Sequence, residues 1–296
     1  MIALRSRNKF LLKAGFTLVE LSIVLVIIGL IIGGVLVGRD LIDAAAIRAQ
    51  ISQIEKYNSA VNTFRGKYGY LPGDIPDPTA TQYGFGGRGP FPGEGDGNGV
   101  LQIWSAGWGL VGVAAGCAGE VMTFWVDLST ANLINGGFNT AGGHPPSCPD
   151  VSGAQLNIYF PQAKIGQGNF VYIWSASGPW ATDQSGINYY GIAAITDVST
   201  GDAMTASPGL TVSQAYNIDK KVDDGSPQSG RVTARYVNNN VDVNNPIWAG
   251  VSPGVSDGPS GTTCYDNNSS ATSIMNYTTG QNGGAGINCA LSFRFQ

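Results

Sequence analysis

The hydrophobic positions of this chain begin with an apolar run from Phe16 to Val37, in which Glu20 is the one charged residue. At about 1.5 Å per residue, a helix over this run is roughly 33 Å long, and a bilayer's hydrocarbon core is roughly 30 Å thick. An ionised side chain at that depth costs at least ~2.5 kcal/mol. The pattern therefore predicts one membrane-spanning helix, in which Glu20 needs a partner.

A second apolar pattern follows without a break. Its residues recur every three or four positions, which is typical of an amphipathic helix: Ile47, Ile51, Ile54, Tyr57, Val61 and Phe64. Gly66 and the glycines at 69 and 73 end the pattern. We expect a single helix of roughly fifty residues, embedded in the membrane first and packed on a globular head second. Two helices separated near Gly38 are the alternative.

Farther along, apolar and polar residues alternate in five segments, as in β-strands. These predicted strands are Gln155–Phe160, Asn169–Trp174, Ile187–Thr196, Arg231–Val237 and Ala290–Phe295. Helical spacing predicts a helix over Glu120–Asn135 with a glycine C-cap at Gly136, and a second helix that begins with a Thr211–Gln214 capping box and ends near Gly225. Thirteen glycines between residues 84 and 119 predict a long loop. The head is therefore predicted to be α+β.

Charge sets the expected topology. The first fifteen residues carry no acid and four cations, Arg5, Arg7, Lys9 and Lys13. The positive-inside rule keeps such a segment cytoplasmic and places the head on the other side of the membrane. Without these four cations the net charge of −4 becomes −8. An acidic head argues against nonspecific binding to nucleic acid, which requires a basic surface.

Residues 13–20, KAGFTLVE, resemble the class III signal of type IV prepilins and type II secretion pseudopilins. The resemblance covers about the first fifty residues and includes a basic leader, a Gly-Phe junction, a glutamate four residues after the phenylalanine, and a long apolar helix. It implies cleavage by a prepilin peptidase between Gly15 and Phe16, followed by N-methylation of the Phe16 amine. That amine, on a neighbouring subunit, would be the partner of Glu20.

The resemblance also implies an architecture and a role. Residues 1–15 would be the leader, residues 16–66 the transmembrane and assembly helix, and residues 67–296 an extracytoplasmic head of pilin-like fold, with an antiparallel sheet and long glycine-rich loops. The protein would be a structural subunit that leaves the bacterial inner membrane for a type IV pilus or a secretion pseudopilus, built with other pilin or pseudopilin subunits. Major pilins usually carry proline where this chain has Val37, so pseudopilin and minor pilin both stay open.

A different class of function is a membrane-anchored extracytoplasmic protein that binds a ligand or a surface and does not polymerise. Tryptophans of the head could supply its binding site: Trp104, Trp108, Trp174, Trp180 and Trp248. Enzymatic function is not expected. The chain has no GxSxG, HExxH or phosphate-loop motif, and its single histidine, His144, lies in a loop sequence without a nucleophile motif.

Four cysteines fall on the side of the membrane where disulfides persist: Cys117, Cys148, Cys264 and Cys289. Three pairings are possible. The resemblance favours Cys264 with Cys289, since pilin C-terminal loops are commonly closed before the last strand, and this leaves Cys117 with Cys148. A zinc site is disfavoured because the chain has no CxxC pair.

A calcium site is predicted in the glycine-rich loop. Glu94, Asp96 and Asn98 place oxygen ligands at alternate positions, as in the first half of an EF-hand loop. Where that loop would supply its bidentate glutamate, this chain has Ser105. Any calcium ion therefore needs further ligands from elsewhere, and a plain glycine-rich turn is the alternative. No other cofactor is predicted.

Overall fold

The computed structural model describes residues 17–89, 93–102, 119–141, 151–176, 185–199, 203–238, 247–250, 256 and 258–295. Gly15 and Phe16 of the predicted cleavage site and the predicted Cys117–Cys148 pair lie outside these ranges. The chain divides into two compact units, Met1–Ala45 and Ala46–Gln296.

Helix α1 is continuous over Leu18–Tyr68, so one helix forms rather than two. In the first unit its large apolar side chains are exposed, and α1 is long and apolar enough to cross a membrane. In the second unit the predicted stripe is buried at all its positions except Ile51, which is partly buried. The helix ends at Tyr68 because Gly69 turns into the left-handed region (φ 81°), two residues after the predicted stop at Gly66.

Among the described residues, the head is built around an antiparallel sheet of six strands. These are β1 (Val151–Ser152), β2 (Phe170–Ala176), β3 (Ile187–Ser199), β4 (Ala203–Ser207), β6 (Val232–Thr233) and β12 (Leu291–Arg294). Strand β3 is the longest and organises the others. It pairs with β2 and β12 along its first half and with β4 and β1 along its second half, and β12 pairs in turn with β6.

The remaining elements are short. Three two-stranded sheets join β5 (Leu210–Thr211) to β11 (Ile287–Cys289), β7 (Arg235–Tyr236) to β8 (Ile247–Trp248), and β9 (Tyr265–Asp266) to β10 (Asn276–Tyr277). The further helices are α2 (Thr79–Gln82), α3 (Glu120–Thr130) and α4 (Val212–Val222), with 3₁₀ turns at Gly153–Ile158 and Asn282–Gly284. This is the predicted α+β, pilin-like arrangement of a long apolar helix and an antiparallel-sheet head.

Aromatic side chains join α1 to the rest of the head. The ring of Tyr57 on α1 meets the ring of Trp125 on α3 edge-on, with centroids 4.9 Å apart. Tyr190 on β3 lies 6.5 Å from Trp125 and 6.1 Å from Tyr57. Because Trp125 and Tyr190 are fully buried, this three-way contact fixes α1, α3 and the sheet against one another.

The predicted strand over Gln155–Phe160 is wrong, because the 3₁₀ helix Gly153–Ile158 occupies that segment. Its apolar residues alternate, but Leu156 and Phe160 are buried together at helical spacing, while Ile158 between them is 47% exposed. The single strand predicted over Arg231–Val237 is split into β6 and β7, which pair with different partners.

Helix α3 ends five residues earlier than predicted. Asn132 takes the left-handed conformation (φ 56°), and the amide of Leu133 donates to the carbonyl of Leu128 at 3.0 Å. These are the marks of a Schellman motif, in which asparagine can replace glycine. Asn132, and not Gly136, therefore terminates the helix. The Thr211–Gln214 capping box of α4 is confirmed, with both reciprocal hydrogen bonds present.

Candidate functional site

Glu20 lies in the first turn of α1, where the structure gives it local partners. Its Oε2 accepts hydrogen bonds from the amide and the hydroxyl of Thr17, each at 2.8 Å. In return the Glu20 amide donates to the Thr17 hydroxyl at 3.2 Å. This exchange is a capping box, with Thr17 at the N-cap and Glu20 three residues on. The T-x-x-E spacing of residues 17–20 is visible in the sequence and is the signal from which this capping box could be predicted.

The capping box accounts for the position of Glu20 but not for its charge. Both of its donors are neutral groups of Thr17, so an ionised carboxylate is stabilised without being neutralised. A carboxylate at a helix N-terminus also meets the positive end of the helix dipole. The predicted pairing of Glu20 with the Phe16 amine stays a prediction, because Phe16 lies outside the described residues.

The glycine-rich loop of residues 93–102 wraps around two carboxylates that it does not itself contain. Asp74, only 1% exposed, accepts hydrogen bonds from the amides of Gly97 and Gly99, both at 2.8 Å. Gly97 and Gly99 have φ values of 77° and 85°, which favour glycine. Glycine at alternate positions thus turns the loop so that its amides face the carboxylate.

Glu120, at the start of α3, is the second carboxylate. Its Oε1 accepts from the amides of Gly95 and Asp96 at 2.9 and 3.2 Å, and its Oε2 accepts from the amide of Gln102 at 2.8 Å. Glu120 is fully buried. Asp74 and Glu120 together therefore hold the loop through five backbone hydrogen bonds that the loop sequence alone does not predict.

Burial dominates the electrostatics of this cluster. It raises the pKa of Asp74 to about 6, against the effect of the backbone amides, and nearby Asp96 raises it further. Burial, followed by the charge of Asp74, raises the pKa of Glu120 to about 8. Arg88 does not neutralise the cluster, because its Nη2 donates to both carboxylate oxygens of Asp127, at 2.7 and 2.6 Å.

Asp74, Asp96 and Glu120 bring one carboxylate oxygen each to within 4.8 Å of one another, which is an arrangement that could hold a hard cation. Of the predicted calcium ligands, only Asp96 belongs to this group. Asn98 is engaged nearby, since its Oδ1 accepts from the amide of Val100 at 2.7 Å and its Nδ2 donates to Asp96 at 2.9 Å.

Glu94 is fully buried in the same loop but is not part of that carboxylate group. Asp74 and Glu120 could not be predicted as ligands from the sequence. Each lies more than twenty residues from Asp96 along the chain, and no local spacing links them. Calcium binding stays a prediction. The geometry changes the candidate ligands from a single loop to three segments that the fold brings together.

The C-terminal part of the head is closed by a disulfide between Cys264 and Cys289, the pair favoured above, with Cα atoms 5.0 Å apart. It connects the segment before β9 to the end of β11, directly before β12 of the central sheet. The disulfide therefore anchors a loop-rich region to the strand that completes the core.

Comparison with known proteins agrees with the N-terminal pattern. Residues 12–36 match a family model described as the prokaryotic N-terminal methylation motif. No curated protein and no solved structure matches the chain significantly. The chain thus carries the hallmark motif of type IV pilin and pseudopilin prepilin-like proteins. The match ends at residue 36. It therefore characterises the N-terminal segment and does not include the head.

Proposed function

We propose that this chain is a structural prepilin-like subunit, cleaved between Gly15 and Phe16, N-methylated at Phe16, and assembled into a type IV pilus or a type II secretion pseudopilus. The observation that carries the proposal is the methylation motif at residues 12–36, which includes the cleavage site and Glu20. Prepilin peptidase and other pilin-type subunits are the partners. The protein acts by assembly and not by catalysis.

The exposed apolar half of α1 supports this function. From Leu18 to Ile42 its large hydrophobic side chains are 46–87% exposed, and so they require lipid or other helices around them. Before assembly the bilayer supplies that environment, with the N-terminus cytoplasmic and the head outside. In the filament, the same side chains exchange lipid for the helices of neighbouring subunits.

Glu20 provides a charged partner for the neighbouring subunit during this exchange. Cleavage creates a cationic amine at Phe16, and a neighbouring subunit staggered along the filament brings that amine to the depth of Glu20. Opposite charges in a medium of low dielectric attract strongly. Thr17 orders the Glu20 carboxylate at the start of the helix without cancelling its charge, so Glu20 keeps the charge that the amine requires.

The binding-protein alternative receives less support from the head. Trp174 is fully buried and Trp248 is half-buried, while the other tryptophans invoked for it lie outside the described residues. Of the tryptophans invoked for a binding site, the two that the structure describes therefore lie in the core or pack against it.

The test is the mass of the mature N-terminus, measured on protein isolated from the producing cells. We expect a chain that begins with N-methylated Phe16, and we expect Gly15→Val to accumulate with its leader intact. An unprocessed wild-type chain, or cleavage beyond Val37 as for a secretory signal, would contradict the proposal.

A further inference from the structure

One pattern of the sequence belongs to none of the sites described above. Asn-x-Ser/Thr, in which x is not proline, is the acceptor signal for N-linked glycosylation. The chain contains three matches, at Asn267, Asn268 and Asn276, and all of them lie close to the C-terminus. Because a segment rich in asparagine, serine and threonine produces such matches by composition alone, the structure has to distinguish among the three.

The three asparagines lie on one hairpin of the head. Strands β9 and β10 pair antiparallel, with Asp266 opposite Asn276. Residues 267–275 connect the two strands, and most of their side chains are exposed. Cys264, which forms the disulfide, directly precedes β9. The connection is therefore an exposed polar segment whose base is held in place by a covalent bond.

Asn268 has the side chain that is available to an enzyme. It is exposed, and its side-chain amide forms no hydrogen bond with any residue that the structure describes. The backbone holds the turn instead, since the Asn268 amide donates to Oδ1 of Asp266 at 3.0 Å and φ is 54°. Ser270, which completes the acceptor pattern, is partly exposed, and its hydroxyl lies 3.2 Å from that of exposed Thr272. Both groups that the pattern requires thus lie at the surface.

The other two asparagines are held by the fold. Asn267 is fully buried. The Nδ2 atom of Asn276 donates to the carbonyl of Ile274 at 3.1 Å. Thr278, which completes the pattern of Asn276, is buried, and its hydroxyl donates to the carbonyl of Thr263 at 2.7 Å. Glycosylation of either asparagine would therefore require this part of the head to open.

We propose that Asn268 is a site of N-linked glycosylation. The inference rests on the proposed function for one premise, namely that the head lies outside the cytoplasm, where a membrane-bound oligosaccharyltransferase meets its acceptors. The donor is an oligosaccharide attached to a polyprenyl pyrophosphate. The bond between the anomeric carbon of the sugar and the pyrophosphate oxygen breaks, and the same carbon bonds to Nδ2 of Asn268. Nδ2 gives up one proton to the enzyme, and the lipid pyrophosphate leaves.

Such a glycan would change the surface of the head. N-linked glycans are bulky and solubilising. Only 12% of the residues of this chain are charged, so a glycan would add solvation that charged side chains supply sparingly. The connection between β9 and β10 can carry it without disturbing the core, because Asn268 is exposed and makes its described contact through the backbone.

The first test locates the sugar on protein isolated from the producing cells. After denaturation and reduction, chymotrypsin cleaves after Tyr265 and Tyr277, so that residues 266–277 form one peptide with all three asparagines. Electron-transfer fragmentation keeps a glycan attached to its residue, and we expect it to place the glycan on Asn268. An unmodified peptide, a glycan on serine or threonine, or modification mainly at one of the other two asparagines would overturn the proposal.

Two adjacent serines supply the matched control. Ser270→Ala removes the hydroxyl from the pattern of Asn268, whereas Ser269→Ala removes the same group from the pattern of Asn267. We expect Ser270→Ala to lower the glycosylated fraction at least about tenfold, Ser269→Ala to leave it within about twofold of the wild type, and Ser270→Thr to retain it. An unchanged unfolding temperature checks that each variant is folded. Equal fractions in the two alanine variants would refute the assignment to Asn268.

The same samples separate the glycosylation site from its premise. Their N-terminal peptide shows whether Phe16 is the first residue of the chain. A chain that keeps its leader contradicts the proposed function, whatever Asn268 carries. A processed chain that begins at Phe16 but has an unmodified Asn268 contradicts the glycosylation site alone.

Discussion

The carboxylate cluster beneath the glycine-rich loop predicts that the head loses stability as the pH rises. The pKa of Glu120 is raised from 4.5 to about 8 and that of Asp74 from 3.8 to about 6, mainly by burial. A raised pKa means that the folded state binds the proton more tightly than the unfolded state does. Stability from these groups is therefore complete below about pH 4 and is lost as the pH rises through the folded pKa values.

The size of the effect follows from Glu120 alone. At about 1.4 kcal/mol per pKa unit, its shift corresponds to roughly 5 kcal/mol in total, of which roughly 3 to 4 kcal/mol is lost between pH 5 and pH 8. Asp74 and Asp219 act in the same direction, the latter because burial raises its pKa to about 7. We therefore expect the free energy of unfolding to fall by at least about 3 kcal/mol over this range.

Urea unfolding of the full chain in detergent, followed by tryptophan fluorescence at pH 5 and pH 8, measures this difference. Trp125 is fully buried and so reports the loss of the core. Glu120→Gln is expected to be less stable at pH 5, because its amide group cannot accept both sets of backbone hydrogen bonds, but to lose much of the pH dependence. Glu55→Gln, at an exposed position on α1, is the control and should keep it. A wild-type unfolding free energy that is constant or rises from pH 5 to pH 8 would refute the reasoning.

Three further predictions test the other sites. Glu20→Gln can keep a hydrogen bond to Thr17 but removes the charge, so it should be inserted and processed yet absent from filaments. Thr17→Ala loses about 1 kcal/mol of helix capping and should still assemble. Filaments that contain Glu20→Gln but lack Thr17→Ala would contradict the charge-pair mechanism. Millimolar calcium at pH 8 should raise the unfolding temperature of the wild type but not of Asp96→Asn, and equal shifts would count against the three-carboxylate site. Replacing Cys264 and Cys289 by serine should lower the unfolding free energy by about 3 to 4 kcal/mol, given their separation of 25 residues, and an unchanged value in urea would show that the bond contributes little.

The elements that sequence predicts well are those specified by neighbouring residues. Helix α1 contains an apolar run followed by apolar residues three or four positions apart, and the capping box of α4 joins residues three apart. The strand wrongly predicted over residues 155–160 shows the limit of such patterns. Apolar residues at 156, 158 and 160 satisfy the period of two that is typical of a strand. Residues 156 and 160 are also four apart, which is a helical spacing. In the structure these two are buried and residue 158 is exposed, as the helical spacing requires.

The carboxylate cluster could not be predicted, for a different reason. Asp74 follows α1, Asp96 lies in the glycine-rich loop, and Glu120 begins α3, so only the folded chain brings them together. The sequence did show that the loop alternates glycine with polar residues, and the interpretation as half of a calcium loop assumed that its own side chains face inward. Instead the backbone amides face inward, toward carboxylates from outside the loop.

Glu20 has both a local and a distant role: it caps the helix through Thr17, and in the proposed function its charge pairs with a neighbouring subunit. The local one is met by Thr17, through hydrogen bonds that a T-x-x-E spacing specifies and that any helix start could use. A helix in the membrane has little need for a charged cap, however, because glutamine can make one of the same hydrogen bonds at a lower cost of burial. Nothing among the described residues explains the charge. The proposed function does explain it, through an amine that cleavage at Gly15 would release and that a neighbouring subunit would present. On that proposal the charge, rather than the hydrogen bonds, is the property on which assembly depends.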